Sequence, residues 1–135
     1  MRNAKDLSQI IESAKPLAES LLNKKPTYPR DLPNTQGVYL IYHKNRGIMY
    51  VGKAKNLRRR INDDHISGEL KISTSTFRRK VHKVYGIIPG KEMRSWVIKN
   101  CSFTYAEIEN PDVCSLVEVF LITFLRAKGE SLLNN

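Results

Sequence analysis

Apolar residues recur at helical spacing near the start of the chain: Leu7, Ile10, Ile11, Ala14, Leu17, Ala18, Leu21 and Leu22. The pattern predicts an amphipathic helix over residues 6–23. Pro16 lies inside it and predicts a kink or a division into two short helices. "NKKPTYPRDLPN" follows, and its three prolines predict a linker running over the surface. The period then changes. Val38–His43 and Ile48–Val51 are rich in β-branched and aromatic residues around "KNRG", which predicts a hairpin. A two- or four-residue loop centred on Asn45 and Arg46 pairs Tyr39 with Gly52 and Ile41 with Tyr50. Tyr39 and Tyr50 then lie diagonally on one face, roughly 7–8 Å apart. A three-residue loop ending at Gly47 would shift that register.

Beyond Gly52 the helical pattern returns. Asn56 suits an N-cap, Leu57 and Ile61 form a buried stripe, and Lys53, Asn56 and Arg60 fall along one edge. Residues 75–85 predict a second basic helix, with Phe77, Val81 and Val84 facing in and Arg78, Arg79, His82 and Lys83 facing out. "GKEMRSWVIKN" predicts a helix with Met93, Trp96 and Val97 inward, and "CSFTYAEI" a third strand. The last helix has the fullest signals. Asn110 caps it, Pro111 opens it, Asp112 suits the positive end of its dipole, and Gly129 stops it.

Length changes this picture little: 135 residues with 41% hydrophobic content suit one soluble domain. No apolar run approaches the roughly 20 residues needed to span a bilayer, and the charged N-terminus does not read as a secretory signal. A cytoplasmic protein without a membrane role is expected. Cys101 and Cys114 lack metal-ligand spacing and are read as reduced core residues.

Charge changes it more. Lys and Arg number 23 against 13 acids, a net charge of +10, which points to a polyanionic partner, nucleic acid before anionic membrane. Residues 53–83 hold ten basic and three acidic side chains, hence +7 of that +10. Lys55, Arg58, Arg59, Arg78, Arg79, Lys80 and Lys83 are the expected phosphate contacts.

Glu118 is the only charged residue between Asp112 and Arg126. It could point to solvent, pair with a buried base, or hold a cation; a carboxylate among Leu and Val side chains is costly to bury unpaired. A basic, tyrosine-bearing hairpin in the same small domain favours the third choice. Mg²⁺ often takes one or two protein carboxylates, with water and phosphate completing its shell. A phenol beside Lys53 and Arg60 would be acidified and could take a proton from water. Tyr39 and Tyr50 are the candidates, while Tyr42 points to the opposite face. Arg60 could hold a scissile phosphate. Consecutive helical residues diverge, so Arg58, Arg59 and Arg60 cannot all serve one site. His65 is either a surface residue or an acid–base helper, and His43 and His82 are expected at the surface.

"GVY" at 37–39 and "YVG" at 50–52, continued as "YVGKAKNLRRRI", resemble the paired motifs of the GIY-YIG nucleases. The similarity extends to the N-terminal nuclease domain of the bacterial excision-repair subunit that incises 3′ of a lesion. It covers residues 37–65 well and 101–134 loosely. The resemblance implies an α+β fold: a small three-stranded antiparallel sheet flanked by helices. Residues 1–30 would form a helical arm and linker, and 31–135 the nuclease domain with a basic helical insertion at about 66–100. It also implies roles. Tyr39 matches the tyrosine assigned as general base and Tyr50 the one that orients water or phosphate. Lys53 and Arg60 match the family's lysine and arginine, and Glu118 its metal-binding glutamate. Mg²⁺ or Mn²⁺ is the implied cofactor, and one-metal in-line attack of water on a phosphodiester the implied reaction. The family often carries Tyr or His four residues after the arginine. Here that position is Asp64, followed by His65, so either a register shift lets His65 serve or the role is missing. The repair branch has an asparagine about a dozen residues after the glutamate, for which Asn134 is the candidate here.

The leading expectation is a metal-dependent DNA endonuclease of repair, restriction or mobile-element type. The alternative is a non-catalytic nucleic-acid-binding module on the same fold. A third reading is a domain that forms a homodimer or binds a partner protein through the N-terminal arm.

Overall fold

The computed structural model of the chain describes residues 4–66 and 75–134. Residues 67–74 of the expected basic insertion, Lys71 among them, and Asn135 lie outside the described residues. Helix α1 (Ala4–Asn23) runs through Pro16 as one element, not two. Pro16 and Glu12, whose carbonyl loses its partner, both lie on the exposed side, where water can replace the missing bond. The buried side of α1, Ala14, Ala18 and Leu21, packs with α4 (Pro111–Ala127), and Leu7 and Ile11 stay exposed.

Strands β1 (Gly37–His43) and β2 (Gly47–Ala54) form the expected hairpin, and β3 (Cys101–Glu107) pairs with the other edge of β1. The sheet is fully antiparallel in the order β2-β1-β3. Its faces alternate as period two requires. Val38, Leu40, Val51 and Ala106 meet α1 and α4. Tyr39, Ile41 and Phe103 meet Leu57 and Ile61 together with helices α2 (Thr76–Tyr85) and α3 (Lys91–Asn100). The sheet is therefore the middle of three layers.

The hairpin register is the expected one near the tyrosines, and it is reached by two compensating irregularities. The loop is three residues long, with His43 opposite Gly47 and Gly47 in the left-handed region at φ 78°. That shifts the pairing by one residue. A bulge between Ile41 and Tyr42 restores it, so Tyr39 faces Gly52 and Ile41 faces Tyr50.

Both sheet edges are covered. The linker is not wholly free of the sheet, because Thr27 exchanges backbone hydrogen bonds with Phe103 on β3, at 3.0 and 2.7 Å. On β2, Leu133 N donates to Met49 O at 2.7 Å. The Asn134 amide clasps Val51, accepting from its N–H at 2.9 Å and donating to its carbonyl at 2.6 Å. The tail thus satisfies part of an edge that would otherwise be open.

Candidate active site

The helix after β2 starts at Leu57, and the Asn56 side chain caps it by accepting from Arg59 N at 3.0 Å. It then widens. Residues Arg59–Ile66 wind as a π-helix, a form that adds a residue to each hydrogen-bonded turn and recurs at functional sites. Asp64 ion-pairs with Arg60 at 3.4 Å. His65 turns inward and is buried beneath the sheet. The register shift left open by the sequence is thus the one observed: His65, not Asp64, meets the hairpin tyrosine.

Tyr39 Oη lies 2.5 Å from His65 Nε2. The phenol crosses β2 at Gly52, where any Cβ would overlap the Tyr39 ring and hydroxyl. That is the steric reason for a glycine in "YVG". The Tyr39 and Tyr50 rings are 6.4 Å apart, His65 is 5.4 Å from the first and 6.0 Å from the second, and Phe77 is 5.6 Å from Tyr50. These rings form one cluster under the hairpin.

The electrostatics correct one expectation. Tyr39 is not acidified. Burial pushes its pKa well above the ordinary tyrosine value; Tyr50, Glu118 and Asp64 add to the rise, and Arg60 alone opposes it. Tyr50 is also raised, by burial and then by Glu118, against Arg60, a hydrogen bond with Thr76, and Arg79. His65 is pushed down to about 3 by burial, then by Arg60 and Arg78. At neutral pH the centre therefore holds two protonated phenols and a neutral imidazole.

Glu118 projects from α4, half-buried. Burial raises its pKa, and Lys53 lowers it. Lys53 Nζ donates to Ser115 Oγ at 3.0 Å, tying β2 to α4. Among the described residues no group of three or more His, Cys, Asp or Glu side chains gathers as a metal cage. A lone, partly desolvated carboxylate fits a cation that keeps most of its water, as Mg²⁺ does, and does not fit a closed structural site.

Next to this centre lies a cleft of about 690 Å³ between the start of the π-helix and the start of α4. Lys53, Lys55, Arg59, Arg60, Asn56 and Ser115 are among its walls. Arg58 is exposed and does not line it. Lys83 is exposed and Lys80 half-buried, both on α2. Arg79 Nη2 donates to Thr76 Oγ1 at 3.0 Å.

Arg78 is not a surface residue. Its side chain is fully buried, and Nη1 donates to His65 O at 3.1 Å and Ile66 O at 3.3 Å. The end of a helix leaves carbonyls without partners, and this guanidinium supplies donors there. The inward face of α2 is accordingly Phe77, Arg78 and Val81, and Val84 is 57% exposed. His82 is exposed as expected, whereas His43 is half-buried, stacked on Tyr85 at 6.4 Å and tilted against Trp96 at 5.7 Å. Asn134 spends its amide on Val51.

Two contributors were not read from the sequence. Ser75 Oγ lies 2.6 Å from His65 Nδ1 and accepts from Arg78 N at 3.1 Å, and Thr76 is close enough to Tyr50 to oppose the rise in its pKa. The start of α2, expected outside the catalytic core, is therefore a wall of the tyrosine cluster. Ser75 is the N-cap of α2, and its reach to His65 spans ten positions of sequence.

A family model described as the GIY-YIG catalytic domain matches residues 35–99 of this chain. The chain is similar to proteins named UvrABC system protein C. With that of Christiangramia forsetii it is 33% identical over 75 residues, 53% of this chain and 12% of the relative. With that of Neisseria meningitidis serogroup B it is 28% identical over 75 residues, 56% of this chain and 12% of the relative. With that of Helicobacter pylori (strain G27) identity is 56% over 32 residues, 24% of this chain and 5% of the relative. The matched part is thus a small share of these relatives' length.

Proposed function

We propose that this chain is a metal-dependent DNA endonuclease that hydrolyses phosphodiester bonds by attack of water, in a DNA repair setting in the cytoplasm. The observation that carries the reading is the convergence on the β2 edge. Tyr39, Tyr50, His65 and Arg60 gather there with mutual contacts or electrostatic coupling, Glu118 is close enough to raise the pKa of both tyrosines, and a basic cleft opens beside them.

In this reading Arg60 and Lys53 bind the scissile phosphate and counter the charge that grows on its oxygens. Tyr50 orients the phosphate or the water. Tyr39 holds its proton in a hydrogen bond to His65 Nε2 and offers an oxygen lone pair to the water; as the attacking water gives a proton to Tyr39 Oη, the phenol proton passes to His65 Nε2. Lys55 and Arg59 hold flanking phosphates in the cleft, and Arg79, Lys80 and Lys83 extend the basic surface along α2. Glu118 is the residue that would hold Mg²⁺ or Mn²⁺; when bound, that ion supplies Lewis-acid stabilisation of the phosphoryl group.

The test is incubation with supercoiled plasmid in Mg²⁺, Mn²⁺ or EDTA, beside a mobility-shift assay in EDTA. Nicking in either metal and not in EDTA is expected. Retarded DNA with no nicking in any condition would make the chain a binding module instead.

A further inference from the structure

Three polar side chains stand in a row away from solvent: Tyr39, His65 and Ser75, exposed by 1%, 1% and 0%. Tyr39 Oη is 2.5 Å from His65 Nε2, and Ser75 Oγ is 2.6 Å from His65 Nδ1. Each ring nitrogen thus faces one hydroxyl, so the neutral ring has two arrangements, with its proton on Nδ1 or on Nε2. A buried phenol that keeps its proton needs an acceptor. His65 Nε2 is that acceptor if it is bare. Ser75 Oγ already acts as an acceptor, because it caps α2 by receiving Arg78 N–H at 3.1 Å. A second lone pair remains for Nδ1–H.

We propose that Ser75 is a positioning residue: it accepts the His65 Nδ1–H, fixes that tautomer, and leaves Nε2 to receive the Tyr39 O–H. The Tyr39 hydrogen is then turned towards His65, and the lone pairs of an oxygen that lies against Gly52 are left for the reacting water. The start of α2 thereby sets the direction of a hydroxyl on β1. The catalytic consequence rests on the nuclease reading; the tautomer does not.

The test uses the full chain labelled with ¹⁵N. Imidazole nitrogen shifts at neutral pH should show His65 as the Nδ1–H tautomer with an unprotonated Nε2. Ser75→Ala and Ser75→Gly should move it to Nε2–H or to a mixture; glycine opens helices almost as well as serine, so the second variant keeps α2. Single-turnover cleavage should fall by roughly 10–100-fold in both, the range for lost orienting partners at metal-site histidines, with DNA binding unchanged. Ser75→Thr, which keeps a hydroxyl, should restore tautomer and rate. A wild-type His65 protonated on Nε2, or an unchanged tautomer in folded Ser75→Gly, overturns the proposal. A chain that cuts no DNA but shows the Ser75-dependent Nδ1–H tautomer would keep the positioning role and remove the nuclease reading.

Discussion

Tyr39 Oη and His65 Nε2 meet at 2.5 Å across 26 positions of sequence, and a widened helix turn accompanies the meeting. In the π-helix Arg59–Ile66 each hydrogen-bonded turn takes up one more residue than in an α-helix. Position i+5 then does what i+4 does in an α-helix. Asp64 stays beside Arg60, and the imidazole one residue later is delivered to the tyrosine.

Burial of that imidazole has a consequence for stability. The pKa of His65 falls from its ordinary 6.5 to about 3 in the folded chain. The unfolded chain therefore binds the extra proton between these two values, and stability rises with pH across them. The contribution is fully present above pH 6.5 and is lost as pH falls towards 3. Its size is on the order of a few kcal/mol. Urea midpoints measured from about pH 7.5 down to about pH 4 should fall steadily for wild type and less steeply for His65→Gln. Equal slopes would mean that His65 is not held neutral by burial.

Glu118 tests the metal side of the reading. A glutamine amide has nearly the same shape as the carboxylate and carries no charge to desolvate, so Glu118→Gln should fold with an unchanged or slightly higher Tm. Metal-dependent nicking should fall by roughly 10²–10³-fold, the scale for removing one electrostatic anchor of a transition state. The measurement is plasmid nicking across an Mg²⁺ titration, with thermal melts of both proteins. Full nicking in a folded Glu118→Gln would take this carboxylate out of the site.

What was legible in the sequence followed local rules. Strict alternation and a turn signal placed Tyr39 opposite Gly52, and Asn110, Pro111 and Gly129 marked the ends of α4 (Pro111–Ala127) within a residue or two. The hidden parts depend on residues distant in sequence. A three-residue loop and a bulge cancel each other around Met49, which no window over one strand can see. A π-helix has no composition signal comparable to a cap. Arg78 looked like a surface charge because its type is polar, yet the carbonyls of His65 and Ile66 recruit it inward. The acidified tyrosine failed for a related reason: charge count along the chain says nothing of burial, and burial is the largest influence on Tyr39.

The basic helix α2 should accordingly behave as two different surfaces. Arg78→Ala leaves the buried carbonyls of His65 and Ile66 without these donors, a loss of about 2–4 kcal/mol. It should lower the urea midpoint without changing the salt dependence of binding by the protein that remains folded. Arg79→Ala with Lys83→Ala should do the reverse, leaving stability within about 0.5 kcal/mol and making the slope of log K against log salt shallower by about 0.9 per lost phosphate contact. An unchanged slope in the double variant would show that these side chains meet no DNA.

Tyr39→Phe and Tyr42→Phe separate catalysis from packing. The two residues point to opposite faces of β1: Tyr39 joins the cluster with His65, and Tyr42 packs towards α1 and α4. Each substitution removes one oxygen and keeps the ring. At Tyr42 the lost group is half-buried beside Thr104, and cleavage should stay within a few-fold of wild type. At Tyr39 two things are lost together. His65 Nε2 is left without its partner in a buried place, which costs about 1–3 kcal/mol of stability. The reacting water also loses the oxygen that lies against Gly52, and with it assistance worth roughly 10²–10⁴-fold. Working below the shifted melting temperature removes the first effect from the rate, so single-turnover cleavage with saturating enzyme reports the second. The large deficit belongs to Tyr39→Phe alone, and binding of uncut DNA in EDTA should be the same in both variants. Equal rates for the two would leave Tyr39 as a packing residue and pass activation of the water to the bound cation.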